Sequence, residues 1–339
     1  MLFRSSFFSA DNFILLPQSI RAAALGVHVL HPSEITEAAS LLKPEGAPPV
    51  WTYITIPLSL ADLEKRQQWQ EAFDQAKKHQ FIPLVRLTTS FDPQNNAWKI
   101  PNHYEIMQFF TFLNTLQWPY EKRYVIIFNE PNHRSEWGGQ IDPSSYAQIL
   151  RFSANWAHTE KNGGYVVLPA AMDLAAPNGD NTMEAFAYLQ QMLQSDPEIF
   201  TIIDYWNSHS YPNPAFSAPA QRRGKNSLHG FLDELSWLNK HAQVEPKVFI
   251  TETGWEENAL TRNKLSEYYQ YANEHIWSHE KVIAVTPFVF KGDPGPFSKF
   301  SFIDKNDVST KQFAAYSRQV QHNLERLKQT LERTCLTWF

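Results

Sequence analysis

The order of apolar runs along the chain constrains its fold more than any other feature. Eight short, β-rich apolar runs alternate with longer segments of helical periodicity, which predicts a parallel sheet covered by helices. Eight strand–helix pairs are the number in a (β/α)₈ barrel, so the predicted fold class is an α/β, single-domain TIM barrel. The predicted strands cover residues 23–30, 51–57, 81–87, 124–129, 165–170, 202–209, 248–252 and 282–290. The predicted helices cover residues 33–42, 60–79, 104–116, 143–161, 182–194, 228–241, 264–278 and 310–331.

A doubly wound open sheet is the alternative to a barrel. Such sheets usually carry a glycine-rich phosphate-binding turn after the first strand, whereas here the first strand runs into Leu30-His31-Pro32-Ser33. No linker or low-complexity tract divides the chain, so we predict an N-terminal extension at residues 1–20 and one catalytic barrel over 21–339. The connections after the strands, which build the active face of a barrel, are long at residues 88–102, 131–142, 211–227 and 291–309.

Composition excludes several classes of partner. The 339 residues carry a formal net charge of −5 and are 43% hydrophobic and 19% charged, which is ordinary for a folded protein. This charge gives no basic surface for nucleic acid, and no segment approaches the roughly 18 apolar residues of a membrane helix. We therefore predict no nucleic-acid partner and no membrane span. A single cysteine, Cys335, excludes an intramolecular disulfide.

The sequence leaves localisation and oligomeric state open. Polar residues such as Ser5, Ser6 and Ser9 interrupt the apolar stretch that a signal peptide needs, so none is clear. An extracytoplasmic or cell-envelope location remains compatible with a chain that is a fragment.

Two glutamates follow apolar strands that face one another across the predicted barrel. Glu130 lies in Asn129-Glu130-Pro131-Asn132 after the fourth strand, and Glu252 lies in Thr251-Glu252-Thr253-Gly254-Trp255 at the end of the seventh. Either glutamate alone has an ordinary alternative, a rim carboxylate paired with Lys or Arg. Together they match glycosidic cleavage, which needs one protonated carboxyl and one ionised carboxylate.

These motifs resemble clan A of the glycoside hydrolases. With Gly26-Val27-His28 on the first strand, they are most similar to family 39 and its polysaccharide-hydrolase relatives. The resemblance implies that Glu130 is the acid/base and that Glu252 is the nucleophile.

The resemblance also implies supporting roles near the two glutamates. Asn129 would hydrogen-bond the 2-hydroxyl of the sugar at the cleavage site. The sixth strand ends in Asn207-Ser208-His209-Ser210-Tyr211, where Tyr211 would donate a hydrogen bond to the nucleophile. His209 would lie within reach of both carboxylates, and its alternative is a rim histidine bonded to backbone.

The chain departs from the clan at two strands. Members often carry an Arg near strand two that supports the nucleophile, and the second strand here has none. Arg86, in the third strand, is a candidate for a related supporting role near the nucleophile. The clan usually ends strand eight with Trp at the cleavage subsite, and here Phe288 is the candidate at that position.

Trp255 and His28 complete the candidate site. Trp255 directly follows the nucleophile motif and is the strongest candidate for a sugar-binding aromatic residue outside the motifs. His28 and His31 are three residues apart, which does not fit the paired inward-facing ligands of a metal-dependent barrel. His28 is therefore taken as a supporting or substrate-binding residue, and we predict no metal and no cofactor.

The resulting prediction is a retaining glycoside hydrolase that cleaves a β-linked oligo- or polysaccharide by double displacement. The β-linkage rests on the resemblance. Two alternatives remain: a barrel that binds carbohydrate with weak or no catalysis, favoured by the departures at strands two and eight, and a metal-dependent barrel hydrolase.

Overall fold

The computed structural model describes residues 24–160 and 164–336, and these form a (β/α)₈ barrel. The predicted N-terminal extension, residues 1–20, lies outside the described residues. The strands are β1 (Ala24–Leu25), β2 (Val27–His28), β3 (Thr52–Ser59), β4 (Phe81–Thr88), β5 (Phe91–Asp92), β6 (Ala97–Trp98), β7 (Arg123–Ile127), β8 (Tyr165–Pro169), β9 (Trp206–His209), β10 (Val248–Glu252) and β11 (Val282–Val285).

Eight α-helices are present within the described residues, and they alternate with the barrel strands as predicted. They are α1 (Glu34–Leu42), α2 (Arg66–Lys78), α3 (His103–Asn114), α4 (Pro143–Thr159), α5 (Ala185–Ser195), α6 (Gly230–Ala242), α7 (Leu265–His275) and α8 (Lys311–Leu336). None of these helices, as far as the chain is described, combines the length and apolar character needed to cross a bilayer.

The barrel consists of two parallel sheets joined at their edges. One sheet has the order β2-β3-β4-β7-β8 and the other has the order β1-β11-β10-β9. Gly26 links β1 to β2 and so joins the sheets on one side. On the other side the Asp204 amide donates to the Val167 carbonyl at 3.0 Å, and Asn207 Nδ2 donates to the Pro169 carbonyl at 3.1 Å. The predicted barrel is therefore confirmed.

Aromatic side chains close the amino-terminal end of the barrel interior. The rings of Tyr53, Tyr124 and Phe249, from three different strands, meet edge to face with centroids 5.2–5.7 Å apart. Such contacts fill the interior as a packed core. The open end is consequently the opposite one, where the carboxyl ends of the strands lie.

The helices pack apolar faces onto the strands and begin at sequence-encoded caps. In α2, Trp69, Ala72, Phe73 and Ala76 are buried, which is the three-and-four spacing of one helix face. The side chain of Asp142 accepts a hydrogen bond from the Ser145 amide and caps α4, which starts with Pro143, the first residue of the predicted helix 143–161.

The structure differs from the predicted elements mainly at their ends. The helix predicted over 60–79 is divided into a short 3₁₀ turn, Leu60–Asp62, and α2, because Ser59 and Asp62 form a local capping box. The sixth strand begins at Trp206 and the eighth ends at Val285, so both are shorter than predicted. The hairpin of β5 and β6, inside the loop 88–102, was not predicted.

Candidate active site

A cleft of about 1040 Å³ opens at the carboxyl ends of the barrel strands. Sites for small ligands usually measure about 300–1000 Å³, so this cleft is large enough to hold at least one sugar unit. Its walls come from the loops after the strands, which are the long connections of the sequence. The predicted site residues that line it are Arg86, Asn129, Glu130, Tyr211, Glu252 and Phe288.

Glu130 lies on a strained turn directly after β7. Phe128 and Glu130 have φ values of 68° and 30°, in the left-handed region that non-glycine residues rarely adopt. The Tyr146 hydroxyl donates to the Ile127 carbonyl at 3.1 Å, and the His133 amide donates to the Glu130 carbonyl at 2.9 Å. These bonds hold the turn from both sides, and strained turns held in this way are concentrated at active sites.

Glu252, the last residue of β10, is buried and held by two donors. Arg86 Nη1 donates to Glu252 Oε1, and the Tyr211 hydroxyl donates to Oε2 at 3.1 Å. Burial acts to raise the pKa of Glu252, but the positive charges of His209 and Arg86 outweigh it and hold this pKa well below its usual range. Glu252 is therefore ionised at neutral pH. Burial and the Glu252 charge raise the pKa of Tyr211, which keeps its proton and remains a donor.

Two buried histidines flank the glutamates in different protonation states. His209 Nδ1 lies 2.7 Å from Glu130 Oε1 and 3.8 Å from Glu252 Oε2. Burial lowers the pKa of His209, but the charges of Glu252 and Glu130 raise it by more, so the net pKa is raised and favours the cation. His28 Nδ1 lies 3.6 Å from Glu252 Oε1, and burial followed by the Arg86 charge lowers its pKa to about 3. His28 is consequently neutral.

Asn129 connects Arg86 to a third carboxyl group. Arg86 Nη1 donates to Asn129 Oδ1 at 2.8 Å, and Asn129 Nδ2 donates to Glu136 Oε2 at 3.4 Å. Glu136 ends a short 3₁₀ turn, Arg134–Glu136, and lines the cleft. Burial and the nearby Glu130 raise the pKa of Glu136 to about 7. Glu136 was not predicted from the sequence, in which its available signal is its position in the long loop 131–142.

His133 and Asp173 form a second polar pair in the cleft wall. His133 Nε2 lies 2.9 Å from Asp173 Oδ2. Burial lowers the pKa of His133, but the hydrogen bond to Asp173 and the charge of Glu130 raise it by more. The pair joins the loops that follow β7 and β8. Asp173 was not predicted either, since nothing in the sequence around the fifth strand distinguishes it from a loop carboxylate.

The family is shown by sequence comparison. A family model described as the glycosyl hydrolase catalytic core matches residues 69–316, most of the barrel. The chain belongs to this family. The predicted enzyme class, O-glycosyl hydrolase, is therefore confirmed. No curated protein matches the sequence.

Solved structures of other glycosyl hydrolases have the same fold. An endo-β-1,4-glucanase from Xanthomonas axonopodis pv. citri is 13% identical, with a TM-score of 0.57 over 88% of this chain and 99% of its own. A family 39 glycoside hydrolase from Bacteroides cellulosilyticus WH2 is 16% identical, with a TM-score of 0.58 over 90% and 64%. A family 128 endo-β-1,3-glucanase from Pseudomonas viridiflava is 14% identical, with a TM-score of 0.51 over 87% and 96%. These TM-scores show a shared fold, and the predicted likeness to the barrels of glycoside hydrolases, a family 39 member among them, is confirmed.

The assignment of Trp255 to the sugar-binding surface is wrong. Trp255 is fully buried, its Nε1 donates to the Ala218 carbonyl at 2.9 Å, and its ring packs against Tyr268 and Tyr269. The chain turns at Gly254, with φ of 125°, and directs this large apolar ring into the core. The structure does bring the other predicted residues together around the cleft: His28, Arg86, Asn129, Glu130, His209, Tyr211, Glu252 and Phe288.

Phe288 occupies the cleft wall next to His28, which adjoins Glu252. It lines the cleft, and its ring meets the His28 ring edge to face at 5.1 Å. Trp98, on the hairpin after β4, is a partly exposed aromatic ring in the same cleft. The cleft of this glycosyl hydrolase therefore has aromatic surfaces, supplied by residues other than Trp255.

One group of side chains in the described part of the chain has the spacing of metal ligands. Oxygens of Glu130 and Glu252 and a nitrogen of His209 lie within 4.8 Å of one another. These donors are already engaged, because His209 is bonded to Glu130 and the Arg86 guanidinium contacts Glu252. A metal ion would have to displace the Arg86 guanidinium from Glu252 and break the hydrogen bond between His209 and Glu130. The donor set therefore fits an acid–base pair better than a metal site.

Proposed function

We propose that this glycosyl hydrolase is a retaining enzyme that cleaves β-linked oligo- or polysaccharides. The observation that carries the proposal is the spacing of the two carboxylates, whose nearest oxygens lie within 4.8 Å across one cleft. Retaining glycosidases hold the two groups about 5–5.5 Å apart, whereas inverting ones separate them by about 6.5–9.5 Å to admit a water molecule. An oxygen of one carboxylate within 4.8 Å of an oxygen of the other leaves little room for such a water molecule, and this close approach supports direct attack by one carboxylate.

In the first step, Glu252 attacks the anomeric carbon while Glu130 donates a proton to the departing glycosidic oxygen. A bond forms between a Glu252 oxygen and the sugar, and the glycosidic bond breaks. The low pKa of Glu252 supports its role as the ionised nucleophile. Arg86 and Tyr211 fix the direction of its carboxylate.

In the second step, Glu130 acts as a base. It removes a proton from a water molecule, the water oxygen bonds to the anomeric carbon, and the bond to Glu252 breaks. His209 contacts both glutamates and can exchange a proton with Glu130 through the 2.7 Å hydrogen bond as charge moves between them. The chemistry requires no cofactor.

The proposed linkage and substrate class rest on two kinds of support. Similar structures are described as an endo-β-1,4-glucanase, an endo-β-1,3-glucanase and an exo-β-1,4-mannosidase, all acting on β-linked sugars. The residues that line the described cleft also disfavour an anionic glycan, because Asp and Glu outnumber Lys and Arg. The carboxylates are Asp62, Glu130, Glu136, Asp173, Glu252 and Glu256, and the cations are Lys65, Arg86 and Lys99.

One observation that favoured the alternative, a carbohydrate-binding barrel without catalysis, no longer supports it. It rested partly on the lack of an Arg in strand two to support the nucleophile. Arg86, from β4, contacts Glu252 directly. Although the second strand lacks an Arg, a contact between an Arg side chain and Glu252 is therefore present.

Turnover of aryl β-glycosides tests the proposal. We expect the wild-type protein to release the aryl group from at least one member of a gluco, manno and xylo panel, and Glu252→Gln to lose this activity by about 10⁴-fold or more. Glu257→Gln is the matched control, because Glu257 pairs with Arg262 away from the two glutamates. The first product should have the β-configuration by ¹H NMR.

The Glu130→Gln variant gives an independent outcome. It should cleave substrates with good leaving groups only to the glycosyl-enzyme, and added azide should restore turnover and yield a β-glycosyl azide. An α-configured first product would indicate inversion. Activity that survives in Glu252→Gln would sink the proposal.

A further inference from the structure

Glu136 is a cleft carboxyl group that the double-displacement mechanism does not use. It lines the cleft, is only partly exposed, and its Oε2 lies 3.4 Å from Asn129 Nδ2. The charges of Arg86 and His133 partly offset the burial of Glu136, but the hydrogen bond of its carboxyl group within the described chain is the one with Asn129. Its polar contact is with Asn129, and this contact indicates what Glu136 does.

The contacts of Asn129 permit only one orientation of its amide. Arg86 is purely a donor, so the group that faces it must be the amide oxygen, at 2.8 Å. The amide nitrogen then faces Glu136, whose carboxyl supplies an acceptor. The reverse orientation would oppose donor to donor at Arg86. Arg86 and Glu136 therefore fix the amide from its two sides.

The fixed amide leaves one hydrogen for a ligand. Asn129 Nδ2 has two hydrogens, and Glu136 accepts one of them. Because Asn129 lines the cleft next to Glu130, the second hydrogen is available to a sugar hydroxyl bound there. A donor held ready in this way binds more effectively than one that must reorient.

We propose that Glu136 is a positioning residue that holds the Asn129 amide toward the 2-hydroxyl of the bound sugar and so selects glycosides whose 2-hydroxyl is free. The inference rests on the proposed function, and the contact of Asn129 with the 2-hydroxyl is the one that the resemblance to clan A implies; what is added is the role of Glu136. It excludes two classes of substrate. A 2-acetamido group would meet the Asn129 and Glu136 side chains, and a 2-sulfate would bring a second anion to a carboxyl group.

Paired imino sugars measure this selection without turnover. 1-Deoxynojirimycin has the 2-hydroxyl and 1,2-dideoxynojirimycin lacks it, so the ratio of their calorimetric Kd values reports the contact. The ratio does not depend on the folded fraction of a variant. We expect the wild-type protein to favour the first compound by roughly tenfold or more, the contribution of about one hydrogen bond.

Three variants distinguish the positioning of Asn129 from the general effect of removing a carboxyl group from the cleft. Glu136→Leu removes the acceptor and should reduce the ratio to about threefold or less, since most of one hydrogen bond is lost. Glu136→Gln keeps an acceptor oxygen and should retain most of the wild-type ratio. Glu256→Leu is the matched control, because Glu256 lines the same cleft but pairs with Lys299, and it should keep the wild-type ratio whatever it does to the affinities.

The proposal is supported if the ratio of the two Kd values falls in Glu136→Leu and is largely retained in Glu136→Gln. It is overturned if Glu136→Leu weakens both compounds equally, if the ratio does not change, or if the wild-type protein binds neither compound. Parallel turnover assays of wild type and Glu252→Gln report the proposed function separately. An enzyme without Glu252-dependent turnover can still show the binding preference, and an active enzyme can lack it.

Discussion

Arg86 connects the two halves of the candidate site. One of its nitrogens contacts both the Glu252 carboxylate and the Asn129 oxygen, and its side chain is largely buried. Because guanidinium groups stay protonated at all ordinary pH values, this charge is constant. Arg86 therefore stabilises ionised Glu252, the proposed nucleophile, and orients Asn129, the residue proposed to bind the sugar.

Replacement of Arg86 by Met should impair catalysis and shift its pH dependence. The depressed pKa of Glu252 depends partly on Arg86, so its loss lets burial raise that pKa. Since attack requires ionised Glu252, the acid limb of the kcat/KM profile should move to higher pH. We expect kcat/KM at neutral pH to fall about 100-fold, as for other lost electrostatic contacts. The profile on an aryl β-glycoside measures both effects.

Two further Arg variants define the control. Arg86→Lys keeps the charge without the guanidinium geometry and should give a smaller pH shift than Arg86→Met. Arg262→Met removes a surface charge that pairs with Glu257 and should leave the profile unchanged. An acid limb that stays in place in Arg86→Met would contradict the role assigned to this charge.

At the residue scale, sequence position predicted the strand-end residues but not the loop residues. Glu130, Glu252 and Tyr211 lie at or just after the carboxyl ends of strands that must meet at one rim, so their convergence follows from the fold. Trp255 and Glu136 lie in loops, where local backbone turns decide which way a side chain faces. No periodicity encodes those turns, which explains one wrong assignment and one omission.

The helix α6 is joined to the strand β9 by a buried polar cluster. Ser208 Oγ donates to Glu234 Oε2, Ser208 and Ser210 hydroxyls lie 2.8 Å apart, and the Phe231 amide donates to Ser210 Oγ at 2.9 Å. His209 stands between the two serines in sequence. The cluster therefore fixes the strand end that presents His209 to both glutamates.

Glu234 makes the stability of this element pH-dependent. Complete burial raises the pKa of Glu234 to about 8, far above its value in an unfolded chain. A raised carboxyl pKa gives a contribution that is present below the unfolded pKa and is lost as pH rises through the folded pKa. The free energy of unfolding should thus decline between about pH 5 and about pH 8, and Glu234→Gln should reduce this decline. Urea unfolding across that range measures it.

An exposed glutamate provides the comparison for Glu234. Glu64→Gln removes a carboxyl group from the surface, and its stability should follow the wild-type dependence on pH. If the Glu234→Gln and wild-type curves run parallel from about pH 5 to about pH 8, Glu234 is ionised throughout and the buried cluster is not the source of the decline.

At the element scale, the alternation of patterns predicted which segments form but not where they end. The apolar run over 282–290 continues beyond β11 because Phe288, Val289 and Phe290 are buried outside the strand ladder. Burial and strand pairing give the same sequence signal in such runs. The β5–β6 hairpin has only two residues in each strand, too few for an alternating pattern.

The whole barrel depends on a close approach of backbones where its two sheets join. The Gly26 amide donates to the Val285 carbonyl at 2.8 Å, and its carbonyl accepts from the Tyr316 hydroxyl of α8 at 2.7 Å. A β-carbon at Gly26 would lie 1.9 Å from the Tyr53 carbonyl oxygen. Gly26 is therefore the point at which β1, β2, β3 and the last helix all meet.

Gly26→Ala should consequently destabilise the whole barrel. The obstructing atom belongs to the backbone of β3, so relief requires movement of a strand, and we expect a loss of about 3 kcal/mol in the free energy of unfolding. Gly179→Ala is the matched control, because a β-carbon there meets nothing within 4 Å and should change stability by about 0.5 kcal/mol or less. Urea unfolding of both variants compares the two sites. Equal stabilities would mean that the strands can separate at Gly26 without cost, and that closure depends on the β8–β9 side, where the Asp204 amide and the Asn207 side chain bridge the sheets.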